Sequence, residues 1–279
     1  MTPFPRLAAI VNITPDSFSD GGRYYSPDHA LEHAWQCIAD GADIIDLGGE
    51  STRPGSVPVS TDEQLHRIMP VLEPLVARGI AVSVDTTCAE VARQAIVAGA
   101  IMINDVSGGM DSPQMIPLVA NSQVAYCLMH RRGDSSTMQH HTQYGNVVAE
   151  VHQWLLAQAK VFLQCGGMPE NLYLDPGIGF GKDVRGNIQL ILHMHALRKA
   201  GFQTYLGASR KTFIGEVCGE RDPQQRIAGS LVVALEAWRQ NVDILRIHDV
   251  AATRQALLMA QALQQTMAEP RKDLSECLT

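Results

Sequence analysis

Eight times along this 279-residue chain a short apolar run meets a polar residue and gives way to a helix-like stretch. The runs are Leu7–Val11 before Asn12, Ile44–Leu47 carrying Asp46, Ala81–Val84 before Asp85, and Ile101–Ile103 before Asn104 and Asp105. Further on come Val124–Met129 before His130, Leu172–Leu174 before Asp175, Thr204–Gly207 before Lys211, and Ile244–His248 carrying Arg246. Near-continuous apolar strands indicate a parallel sheet buried on both faces. Eight strand–helix units in this length predict an α/β fold, a TIM (β/α)8 barrel, as a single domain over 1–279. Its core is expected over about 7–267, with a short flexible charged tail after Pro270. An open doubly wound sheet would want a G-x-G-x-x-G turn after its first strand, and Asn12 to Gly22 holds none.

Between the runs, Ser26-Pro27 opens a helix in the manner of an N-cap followed by a first-turn proline. Thr61 begins another, with Leu65, Ile68, Val71, Leu72 and Leu75 on its apolar face; Pro70 and Pro74 are expected to bend or break it. A single helix is expected over Ile188 to Ala200, ending at Gly201.

Composition narrows the function classes. Apolar residues make up 46% and charged residues 18%, as in an ordinary globular protein. No apolar run is long enough to span a bilayer and Met1 to Leu7 carries no signal-peptide pattern, so a cytoplasmic location is expected. A net charge of −7 without a Lys/Arg stripe argues against nucleic acid. The six cysteines form no C-x-x-C pair, which disfavours a zinc site or a disulfide framework.

Taken singly, each strand-end residue has a structural explanation: an Asp there caps the following helix, and a Lys or His sits in solvent or in a satisfied pocket. The barrel rule, which gathers strand ends at one mouth, turns them into one site. Leu174-Asp175-Pro176-Gly177-Ile178-Gly179-Phe180-Gly181-Lys182 is its densest segment: a carboxylate at a strand's end, then glycines that permit positive φ and close backbone approach. Asp85, Asn104, Asp175 and Lys211 form a donor–acceptor set suited to the amino-pyrimidinone edge of a pterin-like ring. Arg53, Arg246 and His248, with Thr52 and Asn12, suit a phosphate-bearing group, helped by the N-terminus of the helix after the eighth strand. Asn12 with Asp16 or Asp20 offers hard oxygen ligands to a cation such as Mg²⁺.

The segments Asn12 to Gly22, Gly49 to Gly55, Ser83 to Thr86, Asp175 to Lys182, Ser209 to Lys211 and Arg246 to Asp249 together resemble dihydropteroate synthases, over the chain from first strand to last. The resemblance implies a transferase of folate biosynthesis that joins a dihydropterin methyl diphosphate to 4-aminobenzoate and releases diphosphate. It implies a pterin pocket of Asp85, Asn104, Met129, Asp175 and Lys211, and diphosphate contacts from Thr52, Arg53, Arg246 and His248. The 4-aminobenzoate site falls on Phe18, Pro54, Phe180 and Thr212, and Asn12 becomes a Mg²⁺ ligand. Asp16 and Asp20 lie on an implied mobile loop. A homodimer and competition by sulfonamides are implied as well.

Three features depart from the family pattern. Many relatives begin with a hairpin that plugs the barrel bottom; here that element is expected to be either short or built from Thr2 to Arg6. Met129-His130 is followed by two arginines, and Asp85-Thr86-Thr87-Cys88-Ala89 lacks the usual Lys-Pro. Three other readings compete: a corrinoid-linked pterin methyltransferase, which Ser209-Arg210-Lys211, Phe18 and Pro54 disfavour; a non-catalytic pterin binder, which would not need Asn12, Arg246 and His248; and a sulfonamide-insensitive synthase, which Phe18, Thr52, Arg53 and Pro54 in the usual pattern disfavour.

Overall fold

The computed structural model describes residues 4–14, 27–51, 56, 59–134 and 136–268. The apolar runs become eight strands: β1 (Arg6–Asn12), β2 (Ile44–Gly48), β3 (Val82–Asp85), β4 (Met102–Asp105), β5 (Ala125–Met129), β6 (Leu172–Asp175), β7 (Gln203–Gly207) and β8 (Ile244–Ile247). All pair in parallel with their sequence neighbours, and β1 closes on β8 with Ala8 opposite Arg246, making a closed barrel.

Side chains alternate across each strand, so the strands feed two cores. Leu7, Ala9, Val11, Ile45, Leu47, Val84, Leu128, Leu174 and Leu245 point outward under the helices. Ala8, Ile44, Met102, Cys127, Tyr173, Tyr205 and Ile244 fill the barrel interior. Two residues along from that inner layer stand Asp46, Asn104, Met129, Asp175, Gly207 and Arg246. Period two thus stacks a polar layer on an apolar floor, at the C-terminal ends of the strands.

The helices of the outer ring are α1 (Pro27–Ala39), α2 (Thr61–Ala77), α3 (Ala89–Val97), α4 (Met115–Ser122), α5 (Val147–Gln164), α6 (Val184–Leu192), α7 (Met194–Lys199), α8 (Thr212–Cys218), α9 (Ile227–Arg239) and α10 (Val250–Ala268). Two differ from the sequence reading. Pro70 and Pro74 do not break α2. They lie four apart on its outer side, Pro70 exposed, so the carbonyls deprived of a donor face water, while Ile68, Val71, Leu72 and Leu75 anchor the inner side. The stretch expected as one helix over 188–200 starts earlier and divides at His193. Asp183 caps it, accepting from the Gly186 N–H at 2.6 Å.

At the barrel bottom the described part of the leading segment forms no plug of its own. Arg6 reaches across to the Tyr173 hydroxyl from inside, while Phe4 packs outside, 6.5 Å from the Trp238 ring.

Candidate active site at the barrel mouth

Charge meets charge at the centre of the polar layer. Arg246 donates through Nε to Asp46 Oδ2 at 2.6 Å and through Nη2 to Asp85 Oδ2 at 2.7 Å. Asn104 Nδ2 donates to the same Asp46 oxygen at 3.2 Å. Burial works against the Arg246 charge, but the two carboxylates outweigh it and hold its pKa above the ordinary value. Burial pushes Asp85 up to about 7, with Arg246 opposing and the Asp46 and Asp105 carboxylates adding to the rise. Asp46 Oδ1 and Asp85 Oδ1 are buried with no partner among the described residues. Buried acceptors without donors are costly, so these two oxygens are left in want of a partner.

The other side of the mouth is built from β6 and β7. Asp175 accepts the Gly177 N–H at 2.7 Å. Its pKa is raised by burial, against the pull of Lys211 and of the Gly177 N–H. Lys211 donates to the Ile178 carbonyl and sits 4.6 Å from the centre of the Phe180 ring. Burial lowers its pKa to about 8, with Asp175 opposing. Met129 is buried beside this pair, and Thr212 is exposed at the start of α8. The turn between Asp175 and Phe180 exists because of glycine. Gly177 has φ +70°, and a Cβ there would stand 1.9 Å from the His130 carbonyl oxygen.

His248 is tied to β7's loop: its N–H donates to Ser209 Oγ at 3.2 Å, and its Nδ1 lies 3.1 Å from the same oxygen. Arg210 pairs with Asp249 through both oxygens. These contacts set Arg246, His248 and the N-terminus of the 19-residue α10 at one edge of the mouth, a geometry that favours an anion. Asn12 ends β1, and its Oδ1 is 3.0 Å from where a Cβ on Gly48 would stand, so glycine keeps room for that carboxamide. A single carboxamide oxygen fits Mg²⁺ only where substrate phosphate and water supply most of the ligands. Among the described residues no cluster of three acidic, His or Cys side chains could hold a metal alone.

The structure therefore brings together Asp85, Asn104, Met129, Asp175, Lys211, Phe180, Arg246 and His248, with Asn12 at the end of the neighbouring first strand and Thr212 at the rim. Asp16, Phe18, Asp20, Thr52, Arg53 and Pro54 lie outside the described residues. Asp46 was visible as a strand-end carboxylate but carried no role; the Arg246 pair supplies one. Asp105, beside Asn104, turns outward and accepts from Tyr126 Oη, Ser107 Oγ and N–H, and the Gly109 N–H, so it shapes the following loop. His130 is buried edge-on to Trp154 at 5.1 Å, and burial depresses its pKa, so it is a neutral structural group. The two arginines after it tie loops down: Arg131 to Asp111, and Arg132 to Glu150 at 2.9 Å.

Comparison with known proteins places the chain in a family. A family model described as pterin binding enzyme matches residues 8–248. The dihydropteroate synthase of Synechocystis sp. is 43% identical over 258 residues, spanning 92% of this chain and 89% of that protein. Dihydropteroate synthase from Xanthomonas albilineans, solved with 4-aminobenzoic acid, matches with a TM-score of 0.88 at 44% identity, covering 95% of this chain and 94% of that one. The Yersinia pestis enzyme, solved as a sulfonamide drug complex, matches with a TM-score of 0.88 at 38% identity, covering 94% of each chain. This chain belongs to the dihydropteroate synthase family of pterin-binding enzymes, transferases of folate biosynthesis.

Proposed function

We propose that the barrel mouth joins a dihydropterin methyl diphosphate to 4-aminobenzoate, releasing diphosphate and forming dihydropteroate. The observation that carries this reading is the pair of partnerless buried oxygens, Asp46 Oδ1 and Asp85 Oδ1, beside Asn104 and within the same pocket as Asp175 and Lys211. Such a set is satisfied by a flat heterocycle with alternating donors and acceptors, and rejects one that leaves it unpaired.

In this reading the ring lies on the polar layer, against Met129. Two of the five N–H groups of Arg246 are committed to carboxylates, which leaves donors for the diphosphate, together with His248 and the start of α10. Mg²⁺, held through Asn12 and the diphosphate, would neutralise charge on the leaving group. The methylene C–O bond breaks first, assisted by the positive groups around the departing anion. Asp85 and Asp175 stabilise the cationic pterin methylene left behind. The arylamine nitrogen, held against Phe180 and Lys211, then forms the C–N bond and loses its proton to solvent. No protein nucleophile takes part. Phe18, Thr52, Arg53 and Pro54 are proposed to complete the arylamine and diphosphate contacts.

The test is diphosphate release by the purified protein with the pterin diphosphate and Mg²⁺, with and without 4-aminobenzoate. Release that depends on the arylamine and yields the joined product is expected. Tight binding of the pterin diphosphate without release would instead make this a non-catalytic binder. A homodimer is part of the same proposal, supported by exposed Val217, Val232, Leu258 and Met259 on the packed layer α8–α9–α10. A monomeric mass in light scattering at micromolar concentration would remove that element alone.

A further inference from the structure

Lys182 is a lysine in the wrong place for a surface charge: it is 4% exposed and forms no ion pair among the described residues. Burial depresses its pKa well below the ordinary lysine value. A buried ammonium is costly unless its donors are used. Here they are spent on two carbonyls from different loops, that of His130 at 3.1 Å and that of Phe180 at 2.8 Å.

The reason lies in the glycines. Gly177, Gly179 and Gly181 have φ of +70°, +83° and +71°, so the chain between them cannot join a regular hydrogen-bond ladder. Its carbonyls are met one by one instead. Gly177 accepts from the Phe180 N–H at 3.1 Å, Ile178 from Lys211, Gly179 from Gln139 Nε2 at 3.3 Å, and Gly181 from the Tyr144 hydroxyl at 3.0 Å. Phe180 is left to Lys182. Of the side-chain donors, Lys182 alone sits inside the loop, and it ties the loop to the residue after β5. The His130 carbonyl it holds is the one against which Gly177 packs.

We propose that Lys182 is the positioning residue for the arylamine wall: by clamping the Phe180 carbonyl to that of His130, it fixes where the Phe180 ring and the Lys211 ammonium meet 4-aminobenzoate. This rests on the function proposed above. Lys182 does not touch substrate; it acts through Phe180. Asp175 keeps its own supports, the Lys211 ammonium and the Gly177 N–H, so the pterin side of the pocket is less dependent on it.

The experiment measures kcat and both KM values for wild type, Lys182→Met, Phe180→Ala and the double variant. The KM for 4-aminobenzoate should rise about tenfold or more in Lys182→Met, while kcat and the KM for the pterin diphosphate stay within about threefold. In the Phe180→Ala background the added loss from Lys182→Met should largely vanish, since both changes remove one arrangement. Should Lys182→Met not fold, Lys182→Arg, which keeps the charge but displaces the carbonyls, is read by the same split. Both KM values rising together, neither moving, or additive losses in the cycle would overturn the proposal. Wild type without turnover sinks the function reading itself; wild-type turnover without the split sinks only the role of Lys182.

Discussion

Arg246 and Asp46, 200 residues apart in the chain, form a 2.6 Å charge-assisted hydrogen bond on the floor of the barrel mouth. Asp46 is fully buried, and the same oxygen also holds Asn104, so one carboxylate orients both a proposed diphosphate ligand and a proposed pterin ligand. Asp46→Asn is expected to lower kcat/KM for the pterin diphosphate by roughly tenfold or more, with the KM for 4-aminobenzoate little changed. Steady-state kinetics with each substrate varied in turn checks this; a loss seen only in the arylamine KM would contradict it.

Lys211 touches both halves of the pocket, through its charge beside Asp175 and its place over Phe180. Removing it in Lys211→Ala leaves Asp175 buried without its principal cation and the Ile178 carbonyl without its charged donor. A hydrogen bond to a charged group is worth about 1.5–3 kcal/mol, so kcat/KM should fall roughly ten- to a hundredfold. An unchanged kcat/KM would remove Lys211 from the site.

Asp85 makes a prediction about stability. Its folded pKa of about 7 is above the unfolded value of about 3.9. A carboxyl with a raised folded pKa contributes stability that is fully present below the unfolded value and is lost as pH rises through the folded one. Asp85→Asn, which mimics the neutral form, should therefore melt above wild type at pH 8. The difference should shrink as pH falls from 7 towards 4. Activity should drop in the same variant, the usual exchange at a strained charged site. Thermal melts of both proteins across that range decide it, and a gap independent of pH would refute the assignment.

Two glycines separate backbone strain from collision. Gly166 and Gly177 both have positive φ, but a Cβ on Gly166 meets nothing within 4 Å, whereas one on Gly177 meets the His130 oxygen at 1.9 Å. Gly166→Ala should cost about 1–2 kcal/mol from conformation alone. Gly177→Ala should cost several kcal/mol or prevent folding, because a backbone oxygen cannot step aside. Denaturant titration of the two variants gives the comparison.

Sulfonamides should compete with 4-aminobenzoate. The expectation rests on Phe18, Thr52, Arg53 and Pro54 in the sequence and on the Phe180–Lys211 wall in the structure. Inhibition by a sulfonamide should disappear at high 4-aminobenzoate and persist at high pterin diphosphate. Inhibition insensitive to the arylamine would place the drug elsewhere.

What the sequence determined by itself was the count and direction of the elements. Eight apolar runs with polar ends and helical stretches between them allow few closures, and period-two alternation puts Tyr173 with Asp175 and Ile244 with Arg246 on common faces. The glycines after Asp175 announced a turn that other residues cannot make. The tertiary structure decided the rest, because strands apolar on both faces do not say which face looks inward. Asn104 and Asp105 both end the fourth apolar run, and only closure shows that Asn104 meets Asp46 in the pocket while Asp105 meets Tyr126 outside it. Likewise the pairing of Arg246 with Asp46 and the burial of Lys182 between two loops are contacts across long stretches of chain. No local pattern encodes them: they arise only when the barrel closes and a buried charge must find its partner.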